Sequence, residues 1–259
     1  GFDNIELQLD TPAAQVFSAA LPVDVPSVDL PATEGAGVIE QVSGQDEFLF
    51  ELESAGRVVL THDSCLSGAS YRLVRADTDD VVATAADCKD RVLGPYAAGE
   101  YRLEVTAPIA GTYSLDLYEL PDPEEFAYTL DTVVSNGVPA AGAGNIERLG
   151  DVDRHTFSVP AGGKTVQFER LGSQRTMAIK NAANGEQVAS FVDNTRVTLP
   201  EGNYYLETGW PTGGPGTYSF KLYEAPAPQT FAYSIGSVVS DGVPAAGAGN
   251  IERAGSVDR

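Results

Sequence analysis

Few residues in this chain could perform hydrolysis. The 259 residues include only two histidines, His62 and His155. His62 stands in the run Thr-His-Asp-Ser at 61–64, which holds the residue types of a serine hydrolase triad, but triad members converge from separate segments and not from neighbours on one run. His155 takes the strand position that Phe48 holds in a related segment, which indicates a packing role. With no Gly-x-Ser-x-Gly, His-Glu-x-x-His or phosphate-loop motif in the sequence, we expect no enzymatic activity.

Carboxylates form the second kind of candidate site. Asp151 and Asp153 flank a predicted strand entrance, and Asp46 is the counterpart of Asp153 in an earlier copy of the same pattern. Oxygen ligands suit Ca²⁺, so these three residues are the candidate calcium ligands, and no other cofactor is expected. The alternative is turn chemistry, in which an aspartate accepts a backbone N–H. We favour the alternative because Ser256 replaces Asp151 in the next copy; the acidic residues at 77–80 are a weaker candidate, with a solvated hairpin tip as their alternative.

Trp210 is the candidate surface contact. It is the only tryptophan and stands in a Gly/Pro-rich loop at 209–215, where the earlier copy has the short connection 107–110. A large aromatic side chain in a loop can contact a glycan or a peptide. The alternative is a ring folded over its own loop.

The two cysteines, Cys65 and Cys88, are both in the first half of the chain, and strand-like runs flank them. We expect them to form a disulfide, which would place the protein in an oxidising compartment. Two reduced, buried thiols are the alternative.

An internal repeat dominates the sequence. Residues 138–148 and 243–253 are identical, at an offset of 243 − 138 = 105. The same offset relates 111–119 to 216–224 and 126–128 to 231–233. A weaker copy lies upstream, where 35–40 parallels 142–147 and 98–104 parallels 201–207. The chain is therefore built from duplicated units.

The repeat predicts four regions. Residues 1–16 are expected to hold the last strand of a preceding repeat, 17–120 to form repeat one, 121–225 to form repeat two, and 226–259 to supply the opening strands of a further repeat. Such ends need partners, because an alternating apolar strand has one face to bury and a row of backbone groups to pair. The expected partners are neighbouring repeats of the same or of identical chains. Of continuation within one polypeptide and strand exchange between copies, we favour the first.

Each repeat is predicted to consist of short strands. Apolar residues alternate with period two at Leu115 and Leu117 and at Phe220 and Leu222, and Gly- and Asn-rich turns separate the runs. Repeats of about a hundred residues with several strands suit two packed sheets. The predicted fold class is all-β, with tandem jelly-roll or immunoglobulin-like antiparallel β-sandwich domains.

The charge excludes two classes of partner. The formal net charge of -21 argues against binding to nucleic acid phosphates and against docking on anionic lipid headgroups. No apolar run approaches the roughly 18 residues that a membrane span needs, so membrane insertion is not expected. Since the acidic residues are scattered along the chain, we interpret them as a means of solubility.

Several short motifs together resemble a known family. They are a glycine-containing strand in 138–159 followed by Asp151-Val152-Asp153 and Phe157, then Gly202-x-Tyr204, then Gly216-Thr217-Tyr218. This pattern resembles the bacterial pre-peptidase C-terminal domain, a family that includes the collagen-binding modules of secreted clostridial collagenases. The resemblance implies a jelly-roll-like sandwich that serves as an accessory module of secreted proteases or large surface proteins. It also implies calcium binding through an acidic linker in some members, whereas the linkers here carry Phe-Ala-Tyr at 126–128 and 231–233, and Arg154 stands at a usually aromatic position.

These observations predict an extracellular or cell-surface bacterial protein that acts as a structural or adhesive repeat array, as a segment of a longer surface protein or fibre. An extracellular protein or glycan is a further candidate partner. The alternative function is an accessory substrate-binding region of a secreted protease or glycosidase.

Overall fold

The structure is a computed structural model that describes residues 13–27, 30–32, 35–173, 175–191, 195–209, 214–251 and 256–259. The chain divides into two compact units, unit 1 (Gly1–Pro121) and unit 2 (Asp122–Arg259). The described residues form strands and turns and no α-helix, which confirms the all-β fold class with tandem β-sandwich domains. In this described part, no helix has the length and apolar character that a membrane crossing would require.

The described part of unit 1 contains eleven strands. They are β1 (Gln15–Ser18), β2 (Val23–Val25), β3 (Val38–Ile39), β4 (Gln45–Leu52), β5 (Gly56–Ser64), β6 (Ser70–Arg75), β7 (Val81–Ala85), β8 (Arg91–Tyr96), β9 (Gly99–Thr106), β10 (Gly111–Thr112) and β11 (Ser114–Glu119). They form a five-stranded sheet in the order β1-β4-β9-β6-β7, a four-stranded sheet in the order β2-β11-β5-β8, and a short pair, β10-β3.

Unit 2 has the corresponding eleven strands among its described residues. They are β12 (Glu124–Ala127), β13 (Val133–Val134), β14 (Asn145–Ile146), β15 (Val152–Val159), β16 (Lys164–Arg170), β17 (Met177–Asn181), β18 (Gln187–Phe191), β19 (Arg196–Leu199), β20 (Gly202–Gly209), β21 (Gly216–Thr217) and β22 (Phe220–Glu224). Their sheet orders are β12-β15-β20-β17-β18, β13-β22-β16-β19 and β14-β21. Strand for strand, this is the order found in unit 1.

Among the strand pairs named above, one in each unit is parallel. β1 pairs with β4 from Gln15 opposite Asp46, and β12 pairs with β15 from Glu124 opposite Asp153. All the other strand pairs of the described chain are antiparallel. The edge strands β1 and β12 therefore occupy equivalent positions, and each runs parallel to its neighbour in its own five-stranded sheet.

The core of each unit lies between its two large sheets. β4 and β15 have the same burial pattern, in which every second side chain is buried, because successive side chains of a strand point to opposite faces. Phe48 and Phe50 bury on this face in unit 1 and Phe157 and Val159 in unit 2. Full burial of one such side chain contributes about 1.5–3 kcal/mol to stability.

The two end regions are described only in part. Residues 1–12, on which the expected last strand of a preceding repeat falls, lie outside the described residues, and the predicted boundary between 16 and 17 falls inside β1. In the described part of 226–259 there are two isolated bridges and no longer strand. The bridges join Gln229 to Asp258 in parallel and Ser240 to Val243 in antiparallel.

Candidate functional site

A buried aspartate bonded to a buried tyrosine is the most unusual chemical feature of unit 1. Asp46 enters β4, and Tyr113 lies between β10 and β11. Both side chains are buried, and the Tyr113 hydroxyl donates to Asp46 Oδ2 at 2.5 Å. The bond joins the five-stranded sheet to the strands that close the other side of the sandwich.

Unit 2 has the same pair and adds a histidine. Tyr218 donates its hydroxyl hydrogen to Asp153 Oδ2, and His155 Nε2 lies 2.7 Å from the same hydroxyl oxygen. When the Asp153 carboxyl is ionised it can only accept, so Tyr218 donates to it and Nε2 of His155 donates to Tyr218, which leaves Nδ1 as the unprotonated nitrogen. His155 Nδ1 has no hydrogen-bond partner among the described residues.

Burial sets the protonation of these groups. It raises the pKa of Asp46 to about 6 and that of Asp153 to about 7, although the tyrosine hydroxyl opposes the shift in both cases. Negative charge nearby adds to the rise in pKa, from Glu40 beside Asp46 and from Glu147 beside Asp153. Burial lowers the pKa of His155 to about 4, so its ring is neutral at physiological pH.

In each unit a glycine carbonyl accepts the backbone N–H of this tyrosine. The backbone N–H of Tyr218 donates to the carbonyl of Gly144 at 2.9 Å, and Tyr113 makes the same bond to Gly37. Gly144 has φ +75°, and a Cβ there would stand 2.1 Å from the carbonyl carbon of Ser135. No side chain fits in that space, which explains glycine at this point of the repeat.

The three groups of unit 2 form a hydrogen-bonded chain that superficially matches a catalytic relay. Their relative exposures are 0% for His155, 1% for Asp153 and 2% for Tyr218. A general acid or base must come within hydrogen-bond reach of a substrate, and no substrate can reach side chains that are covered to this extent. The arrangement suits a structural bond across the sandwich.

The predicted calcium ligands have other partners. Asp151 accepts the backbone N–H of Arg148 at 2.8 Å, and Asp46 and Asp153 each accept a tyrosine hydroxyl. In the described part of the chain, no group of three or more His, Cys, Asp or Glu side chains is placed to hold a metal ion. These residues alone do not fit the six to eight oxygen ligands of Ca²⁺, and calcium binding stays a prediction.

The Thr-His-Asp-Ser run does not converge on a site. The His62 ring is packed edge-on against Tyr71 with 4.7 Å between ring centres, and its Nδ1 lies 3.6 Å from Asp90 Oδ1. Ser64 instead shares a hydrogen bond with Ser114 at 2.9 Å. Histidine and serine therefore serve different parts of the sandwich.

A disulfide joins Cys65 and Cys88, whose Cα atoms are 5.9 Å apart, as predicted. It connects the end of β5 to the segment that leads into β8. The predicted surface contact, Trp210, lies outside the described residues.

The acidic hairpin tip between β6 and β7 pairs with arginines. Arg75 Nε lies 2.7 Å from Asp77 Oδ1, and Arg102 Nη1 lies 2.7 Å from Asp79 Oδ1. Solvent screens exposed pairs of this kind, so the tip is a solvated turn with local ion pairs.

Sequence reasoning did not identify the partners of the two aspartates. The strand position of Tyr113 indicates core packing, yet its hydroxyl is bonded to Asp46, 67 residues away, and Tyr218 is likewise 65 residues from Asp153. A signal for the pairs exists, because Gly-Thr-Tyr of unit 1 recurs in unit 2 at 218 − 113 = 105 and Asp46 recurs as Asp153 at the similar offset of 153 − 46 = 107. A buried acid that recurs with a buried tyrosine suggests a mutual bond.

No protein-family model and no curated protein sequence matches this chain. Among solved structures, it is similar to the CUB1-EGF-CUB2 domains of rat MASP-1, with 7% identity and a TM-score of 0.26 over 81% of this chain and 100% of that one. For the CUB1-EGF-CUB2 domain of human MASP-1/3 the identity is 8% and the TM-score 0.25, over 77% and 98%. For the full extracellular region of zebrafish Gpr126/Adgrg6 the identity is 9% and the TM-score 0.24, over 81% of this chain and 36% of that one. These values are too low to carry a function from any of the three proteins to this chain.

Proposed function

We propose that this chain is part of an extracellular array of β-sandwich repeats with a structural or adhesive function and no catalytic one. The observation that carries the proposal is the repetition of one strand order in unit 1 and unit 2, each with a Tyr–Asp bond buried in the sandwich. Stacked repeats of one sandwich extend a chain without adding a new site.

Two observations support a place outside the cell. The disulfide between Cys65 and Cys88 is of a kind that persists in oxidising compartments and is rare in the cytosol. The net charge of -21 keeps neighbouring copies apart in solution and favours a well-hydrated surface. A bacterial cell surface or secreted fibre fits both.

The proposal includes the pre-peptidase C-terminal type of repeat. In support, the motif residues of that resemblance have structural roles in unit 2: Gly202 begins β20, Tyr204 is buried in the core, and Tyr218 bonds to Asp153. Under this proposal the partners are neighbouring repeats first, and an extracellular protein or glycan second.

Mechanical unfolding tests the proposal. The chain is held at both ends and pulled, and a structural array predicts two separate force peaks, one for each unit. With the disulfide intact, the increase in chain length when unit 1 unfolds should be smaller, because the 23 residues that separate the cysteines cannot be extended. This difference is about 8 nm at roughly 3.5 Å per residue. The control is the double variant Cys65→Ser and Cys88→Ser, in which that length returns to unit 1 and unit 2 is unchanged.

Extension without force peaks, as for an unfolded chain, would refute the structural role. Binding of the intact chain to a polysaccharide or to an insoluble protein that secreted hydrolases digest, together with peaks of negligible force, would favour the accessory-region alternative instead.

A further inference from the structure

The described residues of 229–259, namely 229–251 and 256–259, have backbone bonds typical of the opening of a repeat. The parallel bridge from Gln229 to Asp258 lies 105 residues after the pairing of Glu124 with Asp153. The bond from Gly242 N to Ala248 O, at 2.9 Å, likewise follows the bond from Gly137 N to Ala143 O. The described residues of this segment therefore share these backbone bonds with residues 124–154, their counterparts in the part of unit 2 that holds β12 to β22. We call it the third opening segment.

Its apolar side chains are exposed where their unit 2 counterparts are buried. Tyr233 is 58% exposed against 6% for Tyr128, and Val239 is 52% exposed against 0% for Val134. Ile251 is 57% exposed against 1% for Ile146. Tyr233 and Val239 line one open concave surface together with Asp258, and exposed apolar side chains that cluster in this way mark an interaction surface.

In unit 2 a single segment, 216–222, pairs with both short strands that carry these residues. β21 pairs with β14, where Gly216 is opposite Ile146, and β22 pairs with β13, where Phe220 is opposite Val134. Residues 216–222 have the sequence Gly-Thr-Tyr-Ser-Phe-Lys-Leu. We call this segment, in unit 2 or in any further copy of the repeat, the closing strand.

Two polar groups of the third opening segment lack, among the described residues, the bonds that their counterparts make to residues 216–222. In unit 2 the Tyr128 hydroxyl accepts from Leu222 N at 2.9 Å, and its one hydrogen is shared between Thr132 O at 2.8 Å and Leu222 O at 3.0 Å. Among the described residues, Tyr233 keeps only a local bond to Ser237 O at 3.2 Å.

Asp258 is the second such group. Its Oδ2 accepts the N–H of Gly249 at 3.1 Å, and its buried Oδ1 has no partner in the described part of the chain. At the matching position of unit 2, Asp153 accepts the hydroxyl of Tyr218, which belongs to the closing strand.

We propose that the third opening segment is a docking surface for the closing strand of a further copy of this repeat. The docked strand places its tyrosine hydroxyl on Asp258, bonds its backbone to Tyr233 and covers Val239 and Ile251. This inference extends the proposed array by naming what one of its surfaces binds, and it rests on that proposal in treating the unit as repeated.

The tyrosine distinguishes the closing strand from the other candidate in this chain. Residues 5–9 have the apolar alternation of β22, but when they are aligned with Phe220 and Leu222, Asp3 takes the place of Tyr218. An aspartate there has no hydroxyl hydrogen to donate to Asp258 and would set a second carboxylate beside it. The docked strand is therefore one with Gly-Thr-Tyr.

The test completes the repeat. A copy of residues 155–225 is appended after Arg259, in register because Arg259 matches Arg154 at the offset of 105. Hydroxyl-radical footprinting with mass spectrometry then measures the reactivity of the Tyr233 and Ile251 side chains in the extended and the original chain. We expect about a tenfold loss of reactivity at Tyr233, the ratio of 58% to 6% exposure.

The matched control is the same extension in which the copies of Phe220 and Leu222 are both changed to Asp, and it should leave Tyr233 and Ile251 reactive. Changing the copy of Tyr218 by Tyr218→Phe tests the bond to Asp258 and should weaken protection without adding charge. Equal reactivity in the extended and original chains would overturn the proposal, because the appended sequence is one that folds in unit 2. Force peaks in the original chain are unaffected by that result, so the array and the docking surface can fail separately.

Discussion

At the scale of single residues, the two units share a buried aspartate–tyrosine bond but differ in a side chain next to it. Each buries an aspartate that accepts a tyrosine hydroxyl, but Phe48 in unit 1 is replaced by His155 in unit 2. The histidine ring is stacked on Phe126 at 5.3 Å between centres and also bonds Tyr218. The substitution changes how stability depends on pH, because it adds a titrating group beside the aspartate.

We predict that His155→Phe makes unit 2 lose stability as pH rises from about 4 to about 7. The pKa of Asp153 is raised in the folded state from 3.8 to about 7, so this carboxyl stabilises below pH 4 and the stability is lost as pH rises through 7. The pKa of His155 is lowered from 6.5 to about 4, which has the opposite effect over most of the same window. In the native protein the two nearly cancel between about pH 4 and 6.5, since folded and unfolded chains each bind one proton there.

Urea unfolding of the variant and the native protein at several pH values provides the measurement. The matched control is unit 1, which has no such histidine and should lose stability between about pH 4 and 6 through Asp46, with Asp46→Asn removing that slope. A His155→Phe variant whose unit 2 stability changes with pH as in the native protein would contradict the assignment.

We also predict that the chain hydrolyses no generic ester, peptide or glycan substrate. His62 is packed on Tyr71, and the hydrogen-bonded chain of His155 is buried, so neither histidine offers a base to a substrate. The measurement is turnover by the purified chain beside its His62→Ala variant. Activity that disappears in the variant would show that a catalytic site exists.

At the scale of elements, the turn from β13 to β14 decides how the closing strand meets β15. Gly144 approaches the backbone of Ser135 so closely that only hydrogen fits, and its carbonyl receives Tyr218 N–H. Gly137 in the same turn has a similar φ of +77°, but a Cβ added at Gly137 would have no described atom within 4 Å. A side chain at Gly137 would therefore cost stability only through the backbone conformation, whereas one at Gly144 would also clash with neighbouring backbone.

We predict that Gly144→Ala destabilises unit 2 by more than about 2 kcal/mol, because the methyl group displaces backbone as well as meeting an unfavourable φ. Gly137→Ala is the matched control and should cost only about 1 kcal/mol, the penalty of a left-handed residue. Thermal unfolding followed by circular dichroism measures both. Equal effects would mean that the close approach to Ser135 is not a constraint on the native turn.

At the scale of the whole molecule, the chain is two units of one strand order, with a disulfide in unit 1 only. Unit 2 has the same frame without cysteines, so the cross-link is an addition to the fold and not a condition for it. Each unit has its own buried core cluster. Separate unfolding transitions are therefore expected.

We predict that reduction lowers the stability of unit 1 by about 3 kcal/mol and leaves unit 2 unchanged, since cross-linking residues 23 apart removes chain entropy from the unfolded state. Calorimetry with and without reductant should show one transition that moves and one that does not. Cys65→Ser together with Cys88→Ser should match the reduced protein. Two transitions that shift together would show that the units unfold as one body.

Much of the frame was predictable from the sequence alone. Alternation at Leu115 and Leu117 indicates a strand whatever surrounds it, and an identical run at an offset of 105 indicates a duplicated unit. The parallel pairing of β1 with β4 was not predictable, because alternation does not state which neighbour a strand has or in which direction it runs.

What the sequence by itself determined is the class of fold and the repeat, which follow from local period and self-similarity. The disulfide was an expectation beside the alternative of two reduced thiols, and the structure shows the bond. Only the tertiary structure decided that Asp46 and Asp153 bond to Tyr113 and Tyr218. The physical reason is distance along the chain. Side chains 65 and 67 residues apart meet only when two sheets pack, and the burial that raises the aspartate pKa exists only after they have packed.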